Sequence, residues 1–195
     1  IQPYEYPHLL QYSDVIHESF WTSDHFTYDR DMRHSRINFR PHWKTALTRS
    51  MLAVGVVENK VKTFWPYIEK RYPKAEISDA GFTFGGNEVI HRRAYEKLLN
   101  LLGLENEFKE VLTVPCMRDR IKYLTKYLDK RGERSNKEFV KSLITFVLWV
   151  ENCSLFSQFL VISSFNKYEN VLNNFNSVVC APGREENIHA QFGAE

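Results

Sequence analysis

Two short patterns, Glu88-Val-Ile-His91 and Glu186-Asn-Ile-His189, occur one in each half of the chain. On a helix, positions i and i+3 share a face, so each pattern directs a carboxylate and an imidazole at one point. Two such helices facing each other, with one carboxylate from each of two further helices, make the ligand set of a two-metal carboxylate bundle. The fold must then bring four helices side by side, and the two extra carboxylates must exist.

The spacing alone is not selective. Glu5/His8, Asp14/His17 and Asp31/His34 repeat it. Pro7 falls inside the first of these and excludes a regular helix interior. The other two lie in a polar, aromatic-rich stretch without a long apolar period. All three pairs are expected to be surface or capping residues.

Helical periodicity dominates the chain. Within residues 41–72, Leu47, Met51, Val54, Val57, Val61 and Trp65 recur at three- and four-residue steps and predict one core-facing stripe. Gly55 costs this helix about 1 kcal/mol, and Pro66 should kink it or end a turn. Asp79 is the expected cap of a second helix that stops at Gly103. Gly85 and Gly86 precede Glu88 and allow close approach. A third helix is expected over 117–130, ended by Gly132. Ser135-Asn-Lys-Glu138 is a capping box opening a long apolar helix to about residue 165. Asn173, Asn174, Asn176, Pro182 and Gly183 predict a loop or broken segment, with a short final helix from about Arg184 that should fray. No hairpin signals or alternating strands are found. The predicted fold class is all-α: one domain over residues 1–195, with residues 1–40 as an N-terminal arm of extended and short-helix structure.

A chain of 195 residues with net charge +2 needs neither nucleic acid nor an anionic membrane as partner. The basic stretch 118–137 alternates with Ile121, Leu124 and Leu128 and reads as a solvated helix face. Cys116, Cys153 and Cys180 are odd in number and widely spaced, which favours a reducing, cytoplasmic setting and argues against disulfides or a zinc knuckle. All three are expected to be ordinary buried thiols. The opening Ile1-Gln-Pro-Tyr lacks the basic start and apolar run of a signal peptide. Residues 142–165 are apolar enough to raise a membrane question, but their serines, Asn152 and Gln158 suit a buried bundle helix better.

That same helix carries the decisive acid. Glu151 is its single charged residue, set among Phe146, Val147, Leu148, Trp149, Val150, Leu155, Phe156 and Phe159. A lone buried carboxylate there costs several kcal/mol or takes up a proton. A metal is the preferred compensator; a buried ion pair, for instance with Arg92, is the alternative. Glu58 plays the matching part beside the first apolar stripe, where an exposed glutamate would be equally ordinary. The order Glu58, Glu88/His91, Glu151, Glu186/His189 supplies six oxygen and nitrogen ligands for two cations, a set that suits iron or manganese better than zinc.

With these residues in place the chain resembles the radical-generating small subunit of class I ribonucleotide reductase, a ferritin-like helical bundle with a di-metal site in its core. Glu88-Val-Ile-His91-Arg-Arg-Ala-Tyr95 is similar to the family segment whose tyrosine, one turn past the ligand histidine, stores the radical. Arg184-Glu-Glu186-Asn-Ile-His189 resembles the second ligand pair, where an acid precedes the ligand glutamate. Phe20-Trp21-Thr-Ser resembles the segment carrying the radical-transfer tryptophan. The resemblance implies Tyr95 as the radical, Trp21, Glu185 and His91 as the inner radical-transfer route, and Glu58, Glu88, His91, Glu151, Glu186 and His189 as ligands of two iron (or manganese) ions. It further implies a homodimer and a large catalytic subunit as partner, which reduces ribonucleotides to deoxyribonucleotides. Glu58 and Glu185 depart from the family, where aspartate is usual at both positions. Family members also continue past the second ligand pair, so the chain is expected to be a fragment, a split polypeptide or the ordered core of something longer. Rival readings are another ferritin-like di-iron oxidase or hydroxylase, an iron-storage bundle, and a metal-free scaffold.

Overall fold

The computed structural model describes residues 3–37, 40–128 and 135–195, and among these every regular element is helical. The N-terminal part forms α1 (Leu10–Glu18) and α2 (Asp29–Ile37) with short 3-10 turns beside them. Four long elements follow as the bundle: α3 (Pro41–Val61), α4 (Ala75–Leu102), a continuous helical run that passes from α7 (Asn136–Ile144) through a π-helical segment (Thr145–Leu155) into α8 (Phe156–Glu169), and α9 (Asn173–Ala194). Between them lie α5 (Glu105–Glu110) and α6 (Pro115–Leu128). α3 packs on α4 and α8, and α9 packs on α8, on the π segment and on α4, which closes a ring of four.

The predicted α3 stripe is buried in full, Leu47, Met51, Val54, Val57, Val61 and Trp65 alike. Pro66 does interrupt this helix: α3 ends at Val61, and Trp65–Lys70 forms a 3-10 turn with the proline in its first positions, where a missing N–H is harmless. That turn lies flat on α4, because a Cβ on Gly85 would stand 2.3 Å from Pro66 Cγ and one on Gly81 would stand 2.7 Å from the Trp65 carbonyl oxygen. Gly86 meets nothing within 4 Å, so only the first of the expected glycine pair has this use.

Several boundaries differ from those expected. α4 starts at Ala75, and Asp79 lies inside it rather than capping it. Pro73 ends the preceding turn earlier, and Glu76 ties the new start down by accepting hydrogen bonds from the Glu5 and Tyr6 N–H groups, both at 2.9 Å. Gly103 stops α4 in the left-handed conformation as predicted (φ 68). The Ser135/Glu138 capping box is formed. The expected ends of the third helix, Lys130 and Gly132, lie outside the described residues.

The largest correction concerns the last helix. It begins at Asn173, not near Arg184, and runs 22 residues straight through Pro182. Its start is capped from a distance: Asp31 Oδ2, on α2, accepts from the Asn174 and Phe175 N–H groups, both at 2.8 Å. An interior proline removes one helical hydrogen bond. The buried face Phe175, Val178, Val179, Pro182, Ala190 and Phe192 offsets that loss. Asp31/His34 and Asp14/His17 therefore sit on helices after all; Asp31 is a capping residue, while Asp14 and His17 are exposed.

The three cysteines are all exposed, against expectation. Cysteine is among the residue types most often buried, but each of these falls on the outward side of its helix. The run Asn136–Glu169 is long and apolar enough to cross a membrane, with mean hydropathy 1.4. It is buried along one side only, by Phe139, Phe146, Val147, Val150, Leu155, Phe159 and Ile162, while Trp149 and Leu160 are exposed.

Candidate metal centre

All six sequence-predicted ligands converge in the bundle centre, and all six are fully buried. α3 supplies Glu58, α4 Glu88 and His91, the π segment Glu151, and α9 Glu186 and His189. They form two overlapping groups, Glu58–Glu88–His91–Glu186 and Glu88–Glu151–Glu186–His189, with the donor atoms of each within 4.8 Å of one another. Glu88 and Glu186 belong to both.

The shared carboxylates are turned so that each spans the two groups. His91 Nδ1 stands 3.5 Å from Glu88 Oε2 and 3.3 Å from Glu186 Oε1. His189 Nδ1 stands 3.3 Å from Glu88 Oε1 and 3.4 Å from Glu186 Oε2. One oxygen of each glutamate thus serves each imidazole. Glu58 completes the first group at 3.8 Å from His91 Nδ1, and Glu151 the second at 3.7 Å from His189 Nδ1.

Such a cluster cannot remain four bare carboxylates. Burial pushes Glu58 and Glu151 well above the usual carboxylate range, and the neighbouring charges of Glu88 and Glu186 add to this. Burial likewise opposes ionisation of Glu88, yet the close imidazoles of His189 and His91 outweigh it and pull Glu88 down to about 2. The two imidazoles, despite burial, are held well above their ordinary pKa by the carboxylates around them. Without cations, protons do the neutralising. Even so, both oxygens of Glu58, Glu88 and Glu186 and the Nδ1 atoms of both histidines are buried without a hydrogen-bond partner. Two divalent cations would balance four carboxylate charges and give these orphaned atoms partners. The donor set can therefore hold two metal ions.

The remaining predicted residues sit beside this cluster. Trp21 Nε1 donates to Glu185 Oε2 at 2.9 Å, and the same oxygen lies 2.6 Å from His91 Nε2. The extra methylene of Glu185, relative to aspartate, is accommodated. The Trp21 and His91 rings lie near-parallel at 6.2 Å. Tyr95 is fully buried one turn beyond His91, its hydroxyl has no partner, and its ring stacks on Phe159 at 6.3 Å. Burial first, then the Glu58 and Glu186 charges, raises its pKa well above that of a free phenol. Arg92, the cation considered for Glu151, instead pairs with Glu96 at 3.0 Å.

Sequence reasoning missed two features. Glu151 lies in a π-helical segment, a distortion frequent at functional sites. Trp65 donates its indole N–H to Glu151 Oε1 at 2.7 Å. The available signal was the rule that a buried tryptophan needs an acceptor, since Trp65 was already placed on the core stripe.

Over residues 1–195 the chain matches the family described as ribonucleotide reductase, small chain. It belongs to that family. No curated protein shows significant similarity to it at the sequence level. Solved structures share the small-chain fold at low identity. The ribonucleotide reductase R2 subunit from Clostridium botulinum superposes with a TM-score of 0.87 at 14% identity, over 97% of this chain and 60% of that one. An R2-like ligand-binding oxidase with a reconstituted Mn/Fe cofactor gives 0.84 at 14%, over 97% and 68%. The R2-like ligand-binding oxidase from Sulfolobus acidocaldarius gives 0.83 at 14%, over 97% and 72%. The ring of four helices is thus common to reductase subunits and oxidases.

Proposed function

We propose that the chain is the radical-generating small subunit of a ribonucleotide reductase. The observation that carries this reading is the continuous hydrogen-bonded line Trp21–Glu185–His91, which joins the buried Trp21 indole to the candidate metal centre. Glu58, Glu88, His91, Glu151, Glu186 and His189 are its metal ligands. Two iron or manganese ions held there would supply the oxidising power when bound.

Tyr95 is the site of radical storage. Its phenol is sealed from water by burial, with Phe159 stacked across one face. Because that environment keeps the phenol protonated, loss of an electron must be accompanied by loss of its proton. Trp21, Glu185 and His91 then relay the oxidising equivalent outward to a large partner subunit that holds the ribonucleotide. A homodimeric small subunit in the cytoplasm is part of the same reading. The relatives' chains are longer, so the activity of the whole assembly belongs to this proposal and not to the fold.

The test is electron spin resonance. Protein loaded anaerobically with ferrous iron or manganese and then exposed to oxygen or peroxide should give a tyrosine-derived signal. Tyr95→Phe should abolish that signal while leaving metal content unchanged. Two bound metals that react with oxygen, without any Tyr95-dependent radical, would point instead to an oxidase like the ligand-binding neighbours.

A further inference from the structure

The two halves of the centre are supported differently. In the first, Glu185 contacts the imidazole of His91 through Nε2. In the second, His189 Nε2 is buried with no hydrogen-bond partner, and the supporting contact falls on the carboxylate: Trp65 Nε1 to Glu151 Oε1. Trp65 is fully buried and is wedged edge-on among His189 at 5.6 Å, Phe84 at 5.1 Å and Phe192 at 5.9 Å. Its backbone is fixed too, because the 3-10 turn it opens rests on the glycine face of α4. An indole so confined has one orientation, and that orientation aims its N–H at a ligand oxygen.

We propose that Trp65 is a positioning residue for the metal position formed by Glu88, Glu151, Glu186 and His189. Its N–H anchors Glu151 Oε1 and fixes the plane of the carboxylate. The edge contact with His189 steadies the imidazole of the same position. Its indole hydrogen bond and its imidazole ring contact go to Glu151 and His189, both of the second group, so its influence falls on one position of the two. This inference rests on the two-metal reading of the site.

The experiment is a cobalt(II) titration of the wild-type protein and Trp65→Phe, followed by calorimetry and by the visible d–d bands of the bound ion. In Trp65→Phe, one of the two affinities should fall about 10- to 100-fold, the usual consequence of losing a hydrogen bond to a ligand. The other should stay unchanged, and only the d–d bands of the weakened position should shift. Two unchanged affinities with unchanged bands would overturn the proposal, as would equal weakening of both positions, which is what a purely structural role predicts. Should Trp65→Phe fail to fold, wild-type protein with 15N-labelled indoles decides. The Trp65 N–H resonance should move with one equivalent of zinc(II) and stay put with the other; equal response to both, or none, refutes the proposal. Wild-type protein that binds no metal at all refutes the two-metal reading itself, a separate outcome.

Discussion

Replacing Asp31 by alanine tests how α9, which carries the candidate ligands Glu186 and His189, is held. Asp31 is buried on α2, and its Oδ2 accepts from two consecutive N–H groups at the start of α9, each at 2.8 Å. A hydrogen bond to a charged group contributes roughly 1.5–3 kcal/mol net, and an N-cap deletion alone costs about 1 kcal/mol. The two bonds share one acceptor and freed N–H groups at a helix start can recover some water, so the sum is not doubled. A loss of roughly 2–4 kcal/mol is expected for Asp31→Ala by urea denaturation. For a protein of this size that is a fall in Tm of about 5–15 °C. Asp31→Asn keeps an acceptor oxygen without its charge and should lose about half as much. The metal content should be unchanged in both, because Glu186 and His189 lie three turns further along α9. A loss below roughly 0.5 kcal/mol in Asp31→Ala would mean that α9 is held by its buried face alone and that the remote cap is incidental.

The metal-free protein should lose stability as pH rises between about 5 and 8. Glu58 and Glu151 titrate well above the ordinary carboxylate value of 4.5, and His91 and His189 well above 6.5, so the folded state holds more protons than the unfolded chain in this window. The excess stability is complete below the unfolded values and drains away as pH climbs toward the folded ones. Glu88, pulled down to about 2, works in the opposite sense and only below 4.5. Metal uptake must expel those protons, so affinity should rise with pH and loading in weak buffer should release acid, measurable by pH-stat. A metal-free stability profile that is flat or rising from pH 5 to 8 would contradict this electrostatic account.

Much of the fold was legible because its signals are local and periodic. The α3 stripe, the Gly103 stop and the Ser135 capping box each follow from a few neighbouring residues. So does the convergence of the six candidate ligands, since Glu-x-x-His on a helix and a lone glutamate in an apolar run leave little freedom. What stayed hidden depends on contacts between distant segments. The start of α9 is capped by a residue of α2, so Asn173, Asn174 and Asn176 read as a loop when taken alone. The start of α4 is set by Glu76 holding the backbone of Glu5 and Tyr6. The π segment around Glu151 and the indole of Trp65 beneath it follow from packing, which no spacing rule encodes. The cysteines were misplaced because residue-type averages say nothing about which side of a particular helix faces water.

Glu88 and Glu186 belong to both candidate ligand groups and would be shared between two metal ions bound there, and manganese(II) loading tests this most directly. Metal analysis with electron spin resonance should find two manganese ions per chain and the broadened spectrum of an exchange-coupled pair. One ion per chain, none, or two ions giving only the resolved six-line pattern of isolated manganese would contradict it.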